Sequence, residues 1–180
     1  MAIFYPKIRH FRKSTLYISG TSTGAILAFL VGVQKRPLSE VERIYTEMSV
    51  DIWGTTNIFE GGSRLLSSHA YYDSEKFENI LQDLCGDMTL LESGIDNDCP
   101  RFACISTLVN RSRSKPYLWR NYNLLGYNSL EKLQHPGTVN AKYWKAIRAS
   151  TAAPGFFKEV RINVKGIRIA NTEWDIQECR

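Results

Sequence analysis

A short run near the amino end contains the residue best suited to covalent chemistry. It is a G-x-S-x-G pattern made of Gly20, Thr21, Ser22, Thr23 and Gly24. An apolar extended segment, residues 16–18, precedes it, and an apolar stretch of helical character, residues 25–33, follows it. Strand, sharp turn and helix is the context in which this pattern forms a nucleophile elbow. The sequence therefore predicts that Ser22 is a nucleophile at the tip of a strained turn.

The other four residues of the run complete the predicted elbow. Gly20 and Gly24 leave room for the strand and helix backbones to approach each other. The helix that follows directs its free N–H groups at the place where negative charge would develop. We therefore interpret Gly20, Thr21, Thr23 and Gly24 as the frame of the site, with Ser22 as its catalytic residue.

A serine hydroxyl is a poor nucleophile until a base removes its proton, and two arrangements are open. In a triad of the order serine, acid, histidine, only His135 fits, with Asp73, Asp83 or Asp96 as the acid. In a Ser-Asp dyad, the only aspartate near the carboxyl end is Asp175, and no glycine lies beside it. We favour a surface position for Asp175 and predict that it does not lie within about 3 Å of the Ser22 oxygen, as a base must.

Composition restricts the class of protein. The chain has 180 residues, of which 43% are hydrophobic and 12% aromatic, as expected of one folded domain rather than a disordered chain. The net charge is +5, and residues 7–36 carry a basic excess. Such a patch is either a solvated face or a contact for anionic lipid. No aromatic-basic motif supports nucleic-acid binding, so we expect none.

The cysteines and the amino-terminal residues indicate the cellular compartment in which we expect the protein. Since no C-x-x-C pair occurs, we predict reduced thiols, no metal site and an intracellular location. Residues 1–13 lack the apolar core of a secretory signal, although they are basic enough to leave organelle targeting open. Residues 25–33 are too few to span a bilayer. The four cysteines are Cys85, Cys99, Cys104 and Cys179.

Strand and helix patterns alternate along the chain. Ser39 with Glu42 fits a capping box at the start of a helix that extends towards Ser49. The alternation predicts an α/β fold with a parallel or mixed sheet. The other predicted elements are a loop over 53–68, a helix capped by Asp73 or Ser74 that ends near Leu84, a buried strand over 101–109, a short strand over 117–119, a helix over 141–150 and one or two strands between 160 and 169.

Several blocks together resemble a known family. Residues 17–28, Y-I-S-G-T-S-T-G-A-I-L-A, resemble the nucleophile segment of patatin-like phospholipases, in particular the calcium-independent phospholipase A2 gamma type. The block A-I-R-A-S-T-A-A-P-G-F-F, residues 146–157, is similar to a second family segment. The resemblance extends from about Tyr17 to Phe157. Further blocks occur in the family order at residues 69–74, 78–81, 99–111 and 120–122.

The resemblance implies a central sheet flanked by helices and a Ser-Asp dyad. It also implies hydrolysis of acyl esters of phospholipids, or of other acyl-ester lipids, without calcium or another cofactor. Ser22 matches the family nucleophile. A protein of this kind would associate peripherally with a membrane surface inside the cell.

Two family motifs have no counterpart in this sequence. The family places a glycine-rich oxyanion loop before the serine, whereas no glycine precedes Gly20 here. It places an Asp-Gly motif after the second block, where this chain has residues 166–172, including Asn171. We therefore expect a fold without the usual first strand and oxyanion loop and without the catalytic-aspartate segment. The predicted division is a divergent basic segment over 1–16, a partial patatin-like domain over 17–170 and a divergent tail over 171–180.

Three functions remain open from the sequence. The first is a lipid acyl hydrolase that uses Ser22 and a substitute for the missing groups. The second is a catalytically impaired or truncated relative that binds lipid or a partner without turnover. The third is an α/β-hydrolase esterase that uses His135. Loss of an oxyanion donor costs about 10²–10³-fold in rate, so the two departures bear directly on the choice.

Overall fold

A computed structural model describes residues 16–54, 71–108, 115–123, 136–162 and 174–178. The three histidines, His10, His69 and His135, lie outside these ranges. The same is true of residues 55–68, most of the predicted loop, and of residues 163–173, which include most of the predicted tail strands. The triad hypothesis on His135 therefore stays a prediction.

The first strand leads directly into a helix through Ser22. Strand β1 is Tyr17–Thr21, and helix α1 is Thr23–Ala28, continued by a π-helical segment over Phe29–Val33. Helix α1 and the π-helical segment bury apolar side chains, as Ile26 and Phe29 have no exposed area. The other helices are α2 Leu38–Ser49 with a π-helical segment Val50–Gly54, α3 Ser74–Cys85, α4 Leu90–Ile95 and α5 Tyr143–Ser150. The other strands are β2 Arg101–Leu108, β3 Lys115–Arg120, β4 Gly137–Thr138, β5 Val160–Ile162 and β6 Trp174–Glu178.

The described strands form one mixed sheet, which confirms the predicted α/β fold. Strand β2 pairs in parallel with β1 and antiparallel with β3. Strand β6 also pairs with β2, in antiparallel orientation, and carries β5 on its other side. Strand β4 completes the sheet in parallel beside β3. The parallel crossover from β1 to β2 contains helices α1 to α4, as a crossover of parallel strands requires.

Two strands share one edge of β2 from end to end. Strand β1 pairs with Arg101–Ile105, and β6 pairs with Ser106–Leu108. The predicted tail strand after residue 160 is present as β5, but residues 174–178 form a sheet strand that the sequence did not predict. The elbow therefore follows the end of β1, at the point where β6 becomes the strand that pairs with β2.

Of the two predicted helix caps, the one at Asp73 is confirmed and the one at Ser39 is wrong. Asp73 caps α3, because its carboxylate accepts hydrogen bonds from the Glu75 and Lys76 N–H groups at 3.1 and 3.0 Å. The capping box predicted at Ser39 is absent, since the cap of α2 is Pro37, without a side-chain hydrogen bond. Because Pro37 is the cap, the helix begins at Leu38, one residue before Ser39, and Ser39 lies within its first turn. The capping box in the described chain is formed by Thr89 and Glu92, at the start of α4, which the sequence did not predict.

The core packs against one face of β2, since the side chains of this strand alternate between buried and half-buried after its first residue. Phe102 and Cys104 on β2, Trp119 on β3 and Tyr143 on α5 are completely buried. This packing fixes α5 against the sheet, where it contacts β2 and β6. No described helix is long and apolar enough to cross a membrane. The loop predicted over 53–68 is wrong at its first two residues, because Trp53 and Gly54 belong to the π-helical segment after α2.

Candidate active site

Ser22 has the backbone conformation that an elbow requires. Its φ is +55° and its ψ is −129°, a region that non-glycine residues rarely occupy. The carbonyl oxygen of Ser22 accepts the Ala25 N–H at 2.9 Å, which joins the turn to α1. Strained backbone of this kind concentrates at functional sites, where the surrounding structure must hold it in place. The predicted strained turn between strand and helix is therefore present.

The two glycines of the run are not equivalent. A β-carbon at Gly20 would lie 2.2 Å from the Gly24 carbonyl oxygen and 2.6 Å from the Ala25 nitrogen. Gly20 is thus required for the close approach of β1 to α1. A β-carbon at Gly24 would meet no atom within 4 Å, so the interpretation of Gly24 as a space-making glycine is wrong. The helix approaches the strand through the Gly24 backbone, and a side chain there would point into open space.

A second serine supports the elbow from the other half of the chain. Ser150, the last residue of α5, is completely buried. Its Oγ accepts the Ser22 N–H at 3.0 Å and donates to the Ile105 carbonyl at 2.7 Å. In the described part of the chain, the hydrogen bonds of Ser22 are those of its backbone, to Ser150 and Ala25. Sequence patterns did not single out Ser150, although a serine at the end of an apolar helical face is a signal for a buried polar contact.

Helix α5 is itself held by a buried cation. Arg148 is completely buried and donates through Nε to a Glu78 carboxylate oxygen on α3 at 3.2 Å. It also donates to the Lys158 carbonyl at 2.8 Å and stacks over the Phe157 ring, 5.6 Å from its centre. Burial lowers the pKa of the Arg148 guanidinium, and the charge of Glu78 opposes that shift. These contacts fix the carboxyl end of α5, where Ser150 lies.

The carboxylates suggested as partners of Ser22 have other positions, and Asp83 is exposed on α3. Asp73 is the cap of α3, and Asp96 pairs with Lys35, their charged atoms 3.7 Å apart. Asp175 lies on β6, opposite Arg161 of β5 and one residue beyond the Ile176–Leu108 pair. Thr21 pairs with Ile105, so Asp175 is separated from the elbow by several residues of β2. The register separates the backbone of Asp175 from the elbow, and its exclusion as the base stays a prediction.

A cavity of about 1170 Å³ lies at the opposite end of β1. Its lining includes Tyr17 and Arg101, which are the first pair of the β1–β2 ladder. The five-residue length of β1 therefore separates this cavity from Ser22. The described side chains also include no group of three or more potential ligands arranged for a metal ion.

Comparison with known proteins assigns most of the chain to one family. A family model described as patatin-like phospholipase matches residues 11–175. Calcium-independent phospholipase A2-gamma of Rattus norvegicus and of Homo sapiens are each 43% identical over 145 residues, which is 79% of this chain and 18% of each relative. Phospholipase A I of Arabidopsis thaliana is 24% identical over 195 residues, which is 81% of this chain and 15% of that protein. The chain thus spans less than a fifth of the length of these relatives.

Proposed function

Since the chain belongs to the patatin-like phospholipase family, we propose that it hydrolyses acyl esters of phospholipids through a covalent intermediate on Ser22. The strained elbow carries this proposal. It combines the positive φ of Ser22 with a close approach at Gly20 that excludes any side chain. Such a turn is costly to maintain and has a use when a nucleophile must project from the sheet.

The proposed reaction has two steps. The Ser22 oxygen attacks the ester carbonyl as a base takes its proton, and the glycerophospholipid alcohol leaves with that proton, which produces an acyl-enzyme. Water then attacks the acyl-enzyme, releases the fatty acid and restores the hydroxyl. The Thr23 N–H follows the nucleophile at the helix start, where N–H groups have no intrahelical acceptor, and can donate to the developing oxyanion.

Strand β6 contains two acidic residues, Asp175 and Glu178, and its backbone register ranks them by distance from the elbow. Glu178 pairs with Ser106, the β2 residue next to Ile105, which is the partner of Thr21. Asp175 lies three residues farther along β6. We therefore expect Glu178→Gln to reduce turnover more than Asp175→Asn does. Equal and negligible effects of both substitutions would place the base outside β6.

The decisive experiment measures fatty-acid release from phospholipid vesicles in the presence of a calcium chelator. Wild-type protein is compared with Ser22→Ala and with Ser19→Ala, a matched control at an exposed serine of the same strand. We expect release by the wild type and by Ser19→Ala, and none above background by Ser22→Ala. Equal release by all three proteins would refute the assignment of Ser22.

A separate measurement addresses the membrane. We propose that the chain acts inside the cell, peripherally bound to lipid, supported by its net charge of +5 and by the free thiols of Cys85, Cys99 and Cys104. Cosedimentation with anionic vesicles should decrease as salt is added, because ionic screening weakens surface attraction. Salt-sensitive binding without any Ser22-dependent release would favour the second function, a relative that binds lipid without turnover.

A further inference from the structure

The peptide unit between Thr21 and Ser22 lies where β1 leaves the sheet. Thr21 is the last residue of β1 and pairs with Ile105 of β2. The ladder between the two strands ends there, and Ser22 adopts a φ of +55°. The Ser22 N–H and the Ile105 carbonyl are thus a donor and an acceptor at the point where two paired strands separate.

One hydroxyl group connects this donor and this acceptor. Ser150 Oγ accepts the Ser22 N–H at 3.0 Å and donates its proton to the Ile105 carbonyl at 2.7 Å. A hydroxyl is suited to this place because it donates and accepts at the same time. Ser150 is completely buried, so water has no access to replace it. Both distances are those of well-formed hydrogen bonds.

We propose that Ser150 is a positioning residue for Ser22, which fixes the peptide unit before the nucleophile and thereby the direction of the Ser22 hydroxyl. The proposal rests on the function proposed above. It assigns to α5 the task of holding the elbow in its strained conformation. It also means that the Ser22 N–H is occupied by Ser150 and is not a donor to the substrate.

The test compares Ser150→Ala with Thr151→Val, a matched control at the adjacent buried hydroxyl. Thr151 Oγ1 donates within its own helix, to the Ile147 and Arg148 carbonyls at 3.0 Å, rather than to the elbow. Each variant is assayed for the rate at which a fluorophosphonate labels Ser22, for kcat and KM on phospholipid vesicles and for its melting temperature. Rates are expressed per folded molecule.

We expect Ser150→Ala to lower labelling and kcat at least tenfold with KM within twofold, because small displacements of a reacting group reduce rates by up to about 10²-fold. Thr151→Val should stay within twofold of the wild type. Should Ser150→Ala fail to fold, Ser150→Cys, whose thiol is a weaker donor and acceptor, should give an intermediate loss. Equal rates per folded molecule in the Ser150 and Thr151 variants would overturn the proposal.

Hydrogen exchange tests the positioning role of Ser150 independently of the proposed catalytic function. The Ser22 amide should exchange at least tenfold faster in Ser150→Ala than in Thr151→Val, whether or not the protein turns over lipid. If the wild type neither labels nor hydrolyses, the function fails while the exchange result still decides the role of Ser150. Equal exchange at Ser22 in the two variants would show that Ser150 does not hold the elbow.

Discussion

Gly20 lies against the carbonyl group of Gly24, so close that a β-carbon at residue 20 would be 2.2 Å from the Gly24 oxygen. This contact joins the end of β1 to the start of α1 and encloses Ser22 between them. The obstructing atoms are backbone atoms, which cannot move aside as a flexible side chain could. The elbow therefore tolerates no side chain at residue 20.

The first prediction follows from this contact. Gly20→Ala should destabilise the fold by about 1–3 kcal/mol, the usual cost of overpacking, and should displace the elbow. Fatty-acid release should decrease by about 10²-fold. Urea unfolding and the vesicle assay measure the two effects.

Gly24→Ala is the matched control for Gly20. A β-carbon there would have no neighbour within 4 Å, and alanine is more favourable than glycine inside a helix by about 0.5–1 kcal/mol. This variant should be at least as stable as the wild type and should keep its activity. A Gly24→Ala variant as damaged as Gly20→Ala would contradict the geometry of the elbow.

The second prediction concerns the pair of Arg148 and Glu78. Arg148→Met removes the partner of a partly exposed carboxylate and the hydrogen bond to the Lys158 carbonyl, so we expect a loss of about 1–3 kcal/mol. Arg43 and Glu47 form an exposed pair at 2.9 Å on α2 and provide the control. Arg43→Met should change the free energy of unfolding by less than about 1 kcal/mol.

Comparing the two arginine variants shows whether the stability that an ion pair contributes depends on its burial. If both variants lost similar stability, the ion pair of Arg148 would be no more than a surface contact. A reduced rate of Ser22 labelling in Arg148→Met, measured per folded molecule, would further show that the placement of α5 affects the reactivity of Ser22.

The sequence predicted the strand, turn and helix around Ser22 because all three depend on local pattern. It did not predict the support from Ser150, since 128 residues separate the two serines and only the packed sheet brings them together. The same limit applies to strand β6, because its register beside β2 is a tertiary property. The capping-box pattern also occurs at two places in the chain, and only one of them forms the box. Ser39 and Thr89 each precede a glutamate by three residues, but Pro37 starts α2 early and leaves Ser39 inside the helix.

The third prediction uses the capping box at α4. The Thr89 N–H and hydroxyl both donate to the Glu92 carboxylate at 2.8 Å and lower the pKa of Glu92. Thr89→Ala removes the hydroxyl and keeps the N–H bond, so the pKa of Glu92 should rise without reaching its ordinary value. Carboxyl chemical shifts followed by NMR through the acid range measure it.

The lowered pKa of Glu92 also fixes the sign of a pH effect. A carboxylate with a depressed pKa in the folded state stabilises the protein above its unfolded pKa of about 4.3, and this contribution is lost as the pH falls through the folded value. Glu92→Gln should therefore make stability less dependent on pH below about 4.3. Ser39→Ala is the control, and it should leave the acid profile unchanged. A Glu92→Gln profile that matches the wild type at every pH would refute the link.

The fourth prediction concerns Asn121, a buried amide between strands and helix. Its carbonyl accepts the Phe102 N–H at 2.7 Å, and its amide donates to the Pro100 carbonyl at 3.1 Å and to Ser93 Oγ at 3.3 Å. Asn121→Ala should cost about 2 kcal/mol or more, since an unsatisfied buried polar group costs about 1–3 kcal/mol. Thermal and urea unfolding measure the loss. Asn123→Ala, at an exposed position, should remain within about 0.5 kcal/mol of the wild type.

The fifth prediction ranks the reactivity of the described thiols. Burial raises the pKa of Cys85 to about 12 and raises that of Cys104 further, whereas Cys99 is only half-buried. Because the thiolate is the reactive form, iodoacetamide at pH 8 should alkylate Cys99 well before Cys85 or Cys104. Peptide mass spectrometry after timed quenching gives the three rates. In urea the three thiols should react alike, since unfolding removes the burial, and early alkylation of Cys104 in the native protein would contradict its position in the core.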